Sequence, residues 1–500
     1  MSRILDRWIF SSGKTDLSKT DLAASIFFGY LGLNFIGWWL ARLWGFDRPL
    51  FNLDYLLVGL VYLWISRTLA ALLLVVLVPI AYTRYLIPTY FFTKQAFSVL
   101  FWVRSAANWS PETQFVAVVA AVAIFTLLVM MFRRYHASLR LKLEGTAWIL
   151  GLGALLIAAD ALNGTDSLIS FGREASFYQG KILGSPLHLV MRETRNAIFG
   201  APARFTPIKL SESATGRYFS ESLSSSGAQG KLEKGPVSLS AINSGELPDK
   251  IVLIVFESLS VLASDPELKS WQEPFQRVKN RFTIESGTLT WVGATFRGEV
   301  RELCWQSRDG VTFGPLPPAL PAVLKGLDYE SCSFHGFYKT MFERDQHYPM
   351  MGFDHSIFLN EMEKNGGVPL TGTVFHGATD SYVASLVHQQ ILQPGKQFVY
   401  WLTLSSHVPI DVPFAKQIAS PEEREMAGHL PPAIWGYAVI CRKTLDSIAE
   451  IAADESLTNC DFIIVGDHSL PLNSTKLKPY IVTGHVPYLI LRWKKPATGS

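Results

Sequence analysis

DFIIVGDH, residues 461–468, is an apolar run that ends on an acid and an imidazole. A strand that is apolar at nearly every position is buried on both faces, as in a parallel sheet covered by helices. IVLIVF, residues 251–256, repeats the pattern and is followed directly by Glu257. Open parallel sheets hold their ligand sites beyond the carboxyl ends of the strands. Glu257, Asp467 and His468 therefore read as side chains delivered to one rim, and this donor set suits Zn, Mn or a similar divalent ion. An Asp-His pair alone more often caps a helix or makes a surface hydrogen bond. The second carboxylate at an equivalent strand end is what favours a metal.

Runs at 399–404 and 488–491 read as further strands, and 319–327, 381–392 and 433–453 as helices. Alternation of the two predicts an α/β sandwich around a mainly parallel sheet. His407 also falls just past a strand end and joins the candidate rim. Thr295, in GATFRGEVREL, follows the small residues Gly293 and Ala294 and precedes a helix expected to begin near Gly298. A hydroxyl beside a divalent cation is more easily deprotonated and becomes a nucleophile, and a helix N-terminus favours an incoming phosphate. The plainer alternative makes Thr295 an N-cap. Asp380 is expected to cap the helix that follows it, and His335, His347 and His485 to be structural. Trp271, Trp291 and Trp401 read as core or membrane-facing aromatics.

The first third of the chain differs in kind. Residues 22–41, 113–132 and 146–162 are apolar runs with at most one charge, suited to a hydrocarbon core about 30 Å thick. The run 55–82 carries Arg67, which reads as a snorkelling arginine rather than a lipid-phosphate ligand. The run 86–103 holds Lys94 and is either a span or a helix in the interface. Arg3, Arg7, Lys14 and Lys19 precede the first run, and Arg133, Arg134, Arg140 and Lys142 follow residue 132. Basic segments stay in the cytoplasm, which requires five crossings here and leaves everything after residue 164 outside. No signal-peptide cleavage pattern is seen near the start, so the first span is expected to be retained.

The expected domains are a transmembrane domain at 1–163, an extracytoplasmic linker at 164–248 and a catalytic domain at 249–500. Within the linker, 176–199 reads as an amphipathic helix on the membrane surface and the Ser/Gly-rich 222–235 as flexible. A formal charge of +3 leaves no nucleic-acid footprint. All four cysteines lie in the soluble part, and an even number outside the cytoplasm predicts disulfides, with Cys304–Cys332 and Cys441–Cys460 nearest in sequence.

FES (256–258), GATFRGE (293–299), HGFYKTMFERDQHYPMMGFD (335–354), SSHVP (405–409) and GDHS (466–469) together resemble a known family. It is the membrane-bound phospho-alcohol transferases of the alkaline phosphatase superfamily. The lipoteichoic acid synthase and phosphoglycerol transferase branch is the nearest likeness, and phosphoethanolamine transferases are similar in layout. The resemblance is most specific over 251–492. It implies a sulfatase-like α/β domain outside a bacterial cytoplasmic membrane, behind five helices. Glu257, Thr295, Asp467 and His468 would form the shell of one divalent metal ion, Zn or Mn, with Thr295 as nucleophile. Arg344 would bind the substrate phosphate, and His407 would hydrogen-bond it or protonate a leaving alkoxide. Phe342 would line the substrate site where the synthase branch tends to have tryptophan, and Glu343 stands where that branch has asparagine, which leaves the head group open. The donor implied is a phospholipid, and the acceptor a glycan or lipid.

A sulfatase proper needs Cys or Ser, any residue, Pro, any residue and Arg. The nearest stretch, Ser264 to Leu268, lacks the arginine. A phosphatase or phosphodiesterase shares the first chemical step and stays open. So does a membrane-anchored scaffold without metal, although the presence of Glu257, Thr295, Asp467 and His468 together argues against it.

Overall fold

The structure is a computed structural model. It describes residues 247–495 apart from 292, 310–318, 342–343, 373–374 and 472–476, together with 204–224 and 242. In the N-terminal part it describes 27–35, 37–38, 50–65, 69–70, 72–73, 77, 111, 114–115, 139–162 and 183–185. The chain forms two compact units, one drawn mostly from residues before 192 and one mostly from those after.

The N-terminal unit holds helix α1 (Asp54–Trp64) and helix α2 (Leu139–Leu162). Among the described residues, one helix is long and apolar enough to cross a membrane, over Lys142–Ala159. It starts before the expected span at 146–162 and includes Lys142. The expected crossing at 86–103, Arg67 and nearly all of 113–132 lie outside the described residues. Leu183 and Gly184, inside the stretch expected as an amphipathic helix, instead pair in parallel with Phe51 and Asn52.

The second unit is built on a seven-stranded sheet. Its strands are β1 (Lys250–Phe256), β2 (Phe282–Thr290), β3 (Tyr329–His335), β4 (His355–Phe358), β5 (Lys396–Leu402), β6 (Cys460–Gly466) and β7 (His485–Trp493). The order across the sheet is β2-β7-β6-β1-β5-β3-β4. Strands β6, β1, β5, β3 and β4 run parallel, and β7 is antiparallel to both β6 and β2. In β1, Val252, Ile254 and Phe256 enter one core layer, and Ile251, Leu253 and Val255 the other. Burying each such side chain contributes about 1.5–3 kcal/mol.

Helices α7 (Asp380–Ile391) and α8 (Pro432–Ala453) cover the first face through residues such as Val387, Tyr437 and Leu445. The second face is covered by α3 (Ala214–Ser224), α4 (Thr295–Cys304), α5 (Leu320–Lys325) and α6 (Arg344–Met351). The α/β sandwich with a mostly parallel sheet is therefore present. The expected strands and helices fall where the sequence puts them, and β2, β3 and β4 are additional.

Two expectations are corrected. Part of the expected linker belongs to the folded unit. Arg204–Pro207 pairs antiparallel with Gln306–Asp309, and Tyr218 and Phe219 of α3 lie in the core. Buried Ser213 and Thr215 fix this segment by donating to Glu302 Oε2 at 2.8 and 3.2 Å. The cysteines are not bridged either: all four are buried free thiols. Cys304 and Cys332 face opposite core layers, so the sheet separates them. Burial pushes the Cys304 and Cys332 thiols up to about 12. Alkylating the denatured protein without reductant should label four thiols per chain by mass spectrometry; two labels would reveal a disulfide.

Candidate metal centre and nucleophile

The parallel strands end at one rim, and the turns after them carry the site. Glu257 follows β1, Thr403 to His407 follow β5, and Asp467 and His468 follow β6. Glu257, Asp467 and His468 converge so that one ligand atom from each lies within 4.8 Å of the others. His468 Nε2 is 3.5 Å from Glu257 Oε1 and 3.3 Å from Asp467 Oδ2. A carbonyl can only accept, so the 3.0 Å contact of His468 Nδ1 with Ser469 O puts the proton on Nδ1 of the neutral ring. The bare Nε2 then faces the carboxylates, the orientation a metal-binding imidazole needs.

Thr295 joins this cluster. Its hydroxyl donates to Glu257 Oε2 at 3.1 Å and stands 3.3 Å from His468 Nε2. Helix α4 begins at Thr295 itself rather than near Gly298, and Ala294 occupies the N-cap position. Thr295 is therefore the first helical residue, with its side chain turned to Glu257 and His468. The glycine that permits close approach is Gly298: a Cβ there would stand 2.8 Å from Asp467 Cα, Cβ and O.

The residues around the cluster hold a negative site together. Asp467 Oδ1 accepts from the Ser258 and His468 amides at 2.7 and 2.6 Å. Ser258 reaches this position with φ at +57°, a left-handed conformation that costs an L-residue about 1–2 kcal/mol. Its hydroxyl donates to Glu257 Oε1 at 2.8 Å. Thr403 Oγ1 accepts from the Glu257 amide at 2.8 Å, and Ser406 Oγ donates to the Glu257 carbonyl at 2.5 Å.

Asp467 Oδ2 is buried and, among the described residues, accepts no hydrogen bond. Burial, and then the Glu257 carboxylate, push Asp467 up to about 7. Burial alone would lower His468, but Asp467 and Glu257 outweigh it and raise it. Both shifts express one lack, that of a positive charge among three donors. The Arg301 guanidinium is committed elsewhere: it pairs with Glu302 at 2.5 Å and donates to Gly466 O at 2.6 Å. The residues present fit a divalent cation.

His407 is half-buried, and its ring centroid lies 3.9 Å from that of Phe375. Its Nδ1 donates to Val408 O at 2.6 Å, which leaves Nε2 as an acceptor. Burial, and then the His468 charge, pull His407 down to about 4, against the Val408 hydrogen bond and the Asp467 carboxylate. At neutral pH the ring is therefore neutral. With Nδ1 engaged, Nε2 of the neutral ring can accept a proton.

Arg344, expected at the substrate phosphate, is a buried side chain. It is 2% exposed, and its Nη2 pairs with the fully buried Glu299 at 3.1 Å. Tyr348 and Tyr400 also donate to Glu299, at 2.6 and 3.0 Å. Arg344 Nη1 is 3.5 Å from His335 Nε2, and His335 Nδ1 donates to Leu402 O at 3.0 Å. His335 is thus a hydrogen-bonded structural residue, as expected, and belongs to the polar cluster around Arg344. Glu299 was missed, although it lies four residues after Thr295 and so on the same helical face. His347 is buried with its ring 5.3 Å from that of Phe296, the neighbour of Thr295 in sequence. His485 begins β7 at the same rim and contacts Thr483 O at 3.3 Å. Trp271 and Trp401 are core residues, and Trp291 packs under Arg301 at 4.8 Å. Phe342 and Glu343 lie outside the described residues. Asp380 does not cap its helix; Thr379 does, accepting from the Tyr382 amide.

Residues 251–492, the part of the chain that carries this site, match the sulfatase family model. That agrees with the alkaline phosphatase-like fold implied by the sequence motifs. No curated protein matches the chain in sequence. Among solved structures it is similar to the lipoteichoic acid synthase LtaP from Listeria monocytogenes, at 15% identity over 53% of this chain and 71% of that one, with a TM-score of 0.39. It is also similar to the C-terminal periplasmic domain of EcEptC from Escherichia coli in complex with Zn, at 14% identity over 51% and 75%, TM-score 0.35. A third is the Streptococcus pyogenes phosphoglycerol transferase GacH in complex with sn-glycerol-1-phosphate, at 16% identity over 54% and 74%, TM-score 0.36.

The His407 environment makes stability depend on pH. Its ordinary value is 6.5 and its folded value about 4, so the unfolded chain takes up this proton first as pH falls. That contribution to stability is full above 6.5 and is lost progressively toward 4. His407→Gln should show a smaller drop in melting temperature between about pH 7 and pH 5 than the wild type. Equal drops would contradict this environment.

Proposed function

We propose that this chain is a membrane-anchored, metal-dependent transferase. It moves a phospho-alcohol head group, phosphoglycerol or phosphoethanolamine, from a phospholipid through Thr295 to a hydroxyl of an envelope glycan or lipid. The observation that carries this is Thr295 at the start of α4, 3.1 Å from Glu257 and 3.3 Å from His468, beside an uncompensated Asp467. A divalent cation held by Glu257, Asp467 and His468 supplies a lowered pKa for the neighbouring hydroxyl and an offset for phosphate charge.

The residues then divide the work. Thr295 Oγ1 forms a bond to phosphorus, the diacylglycerol oxygen leaves, and the proton released by Thr295 goes to that oxygen. In the second step the acceptor hydroxyl attacks the same phosphorus and the bond to Thr295 breaks. The acceptor's proton passes through His407 Nε2 to Thr295. Bare Nε2 and a neutral ring support this role. Arg344 acts from a buried position and not as an exposed fork; burial opposes its charge, but Glu299 together with Tyr348 and Tyr400 outweighs burial and keeps it charged. Such a reaction rests mainly on positioning and charge stabilisation.

The membrane part of the proposal rests on the basic-residue pattern and on the apolar helix over Lys142–Ala159. It places a multi-pass anchor in a bacterial cytoplasmic membrane with the catalytic unit outside. Anchoring would raise the effective concentration of the lipid donor.

Incubation of the purified protein with phospholipids of differing head groups, acceptor omitted, tests the chemistry. The Thr295 peptide should gain the mass of one phospho-head group. Thr295→Ala should gain none and lose transfer by roughly 10⁴-fold or more while its fold is retained. Undiminished transfer by that variant would sink the proposal, and free phosphate or phospho-alcohol as the sole product would make it a hydrolase.

A further inference from the structure

We infer that Asp380 is a positioning residue that sets the turn after β5, and through it both the Glu257 backbone and the His407 ring. Asp380 is 2% exposed and lies in the first turn of α7. Its carboxylate turns back from that helix and accepts from two successive amides, Leu404 N and Ser405 N, each at 2.9 Å. Ser405 Oγ returns a bond by accepting from the Asp380 amide at 3.0 Å. Thr444 of α8 donates to Asp380 Oδ2 at 3.4 Å. A carboxylate that bridges consecutive amides fixes the peptide plane between them, and charge-assisted bonds are roughly twice as strong as neutral ones.

The clamped turn has two outputs. One runs to the candidate metal centre: Thr403 and Ser406, on either side of the clamped pair, grip the amide and carbonyl of Glu257. The other runs to His407, whose amide donates to Leu404 O at 2.9 Å and whose ring sits against Phe375. Asp380 touches neither substrate nor the proposed ion, so its effect is indirect. Partners that support metal ligands in this way typically cost 10–100-fold in metal affinity or activity when changed. The Glu257 output rests on the metal reading above; the His407 output does not.

Asp380→Asn keeps the shape but presents an amide donor to one of the two backbone donors. Two readouts on the full-length protein in detergent follow the two outputs. Mn(II) affinity should fall by about 10-fold or more. The rate at which diethylpyrocarbonate modifies His407, read by mass spectrometry, should change several-fold while other histidines keep their rates. Unchanged His407 labelling in the folded variant overturns the inference. A wild type that binds no Mn(II) defeats the metal reading instead, and the labelling still decides the role of Asp380. If Asp380→Asn fails to fold, Thr403→Val and Ser406→Ala, which cut only the links to Glu257, carry the test. Wild-type Mn(II) affinity in both would refute the transmission.

Discussion

Glu257, Asp467 and His468 are held with their electron pairs directed at one another, and among the described residues no side-chain cation stands between them. Such a cluster is unfavourable unless positive charge enters, because buried like charges repel and desolvation penalises each. The protein nonetheless spends much local structure on keeping it. Ser258 sits in a left-handed conformation to satisfy Asp467, Gly298 lets a helix lie against the Asp467 backbone, and Arg301 is tied to neighbouring carbonyls. Each arrangement makes physical sense when a divalent ion completes the site.

The parallel sheet is what makes that convergence possible. Adjacent strands β6, β1 and β5 end at one level, so the turns after them meet without long loops. Helix α4 brings Thr295 to the same point. Its next turn carries Glu299, which anchors Arg344 of α6 and two tyrosines, so the Thr295 hydroxyl and the Arg344 guanidinium are both tied to one helix. Charge near the reacting position is thereby fixed in advance, which is the property phosphoryl chemistry demands of its surroundings.

The sequence revealed the central strands because burial on both faces leaves uninterrupted apolar runs such as those before Glu257 and Asp467. It hid Phe282–Thr290, an edge strand with alternating exposure, and Tyr329–His335, whose Glu, Ser and Cys residues dilute the apolar signal. Glu257, Thr295, Asp467 and His468, which the fold brings together, stood out in the sequence by type and position. Residues that act through the backbone did not. Asp380 looks like an ordinary N-cap, and only the fold shows its carboxylate turned to residues 404 and 405. The cysteines show a different failure: closeness in sequence says nothing about which side of a sheet a residue faces. Cys304 and Cys332 occupy opposite core layers.

Elemental analysis of the purified full-length protein, after equilibration with Zn or Mn and removal of excess ion, bears most directly on the centre. The wild type should retain one divalent ion per chain, and Asp467→Asn should lose it while remaining folded. A wild type with no bound ion, or equal retention by both proteins, would contradict a metal centre built from Glu257, Asp467 and His468.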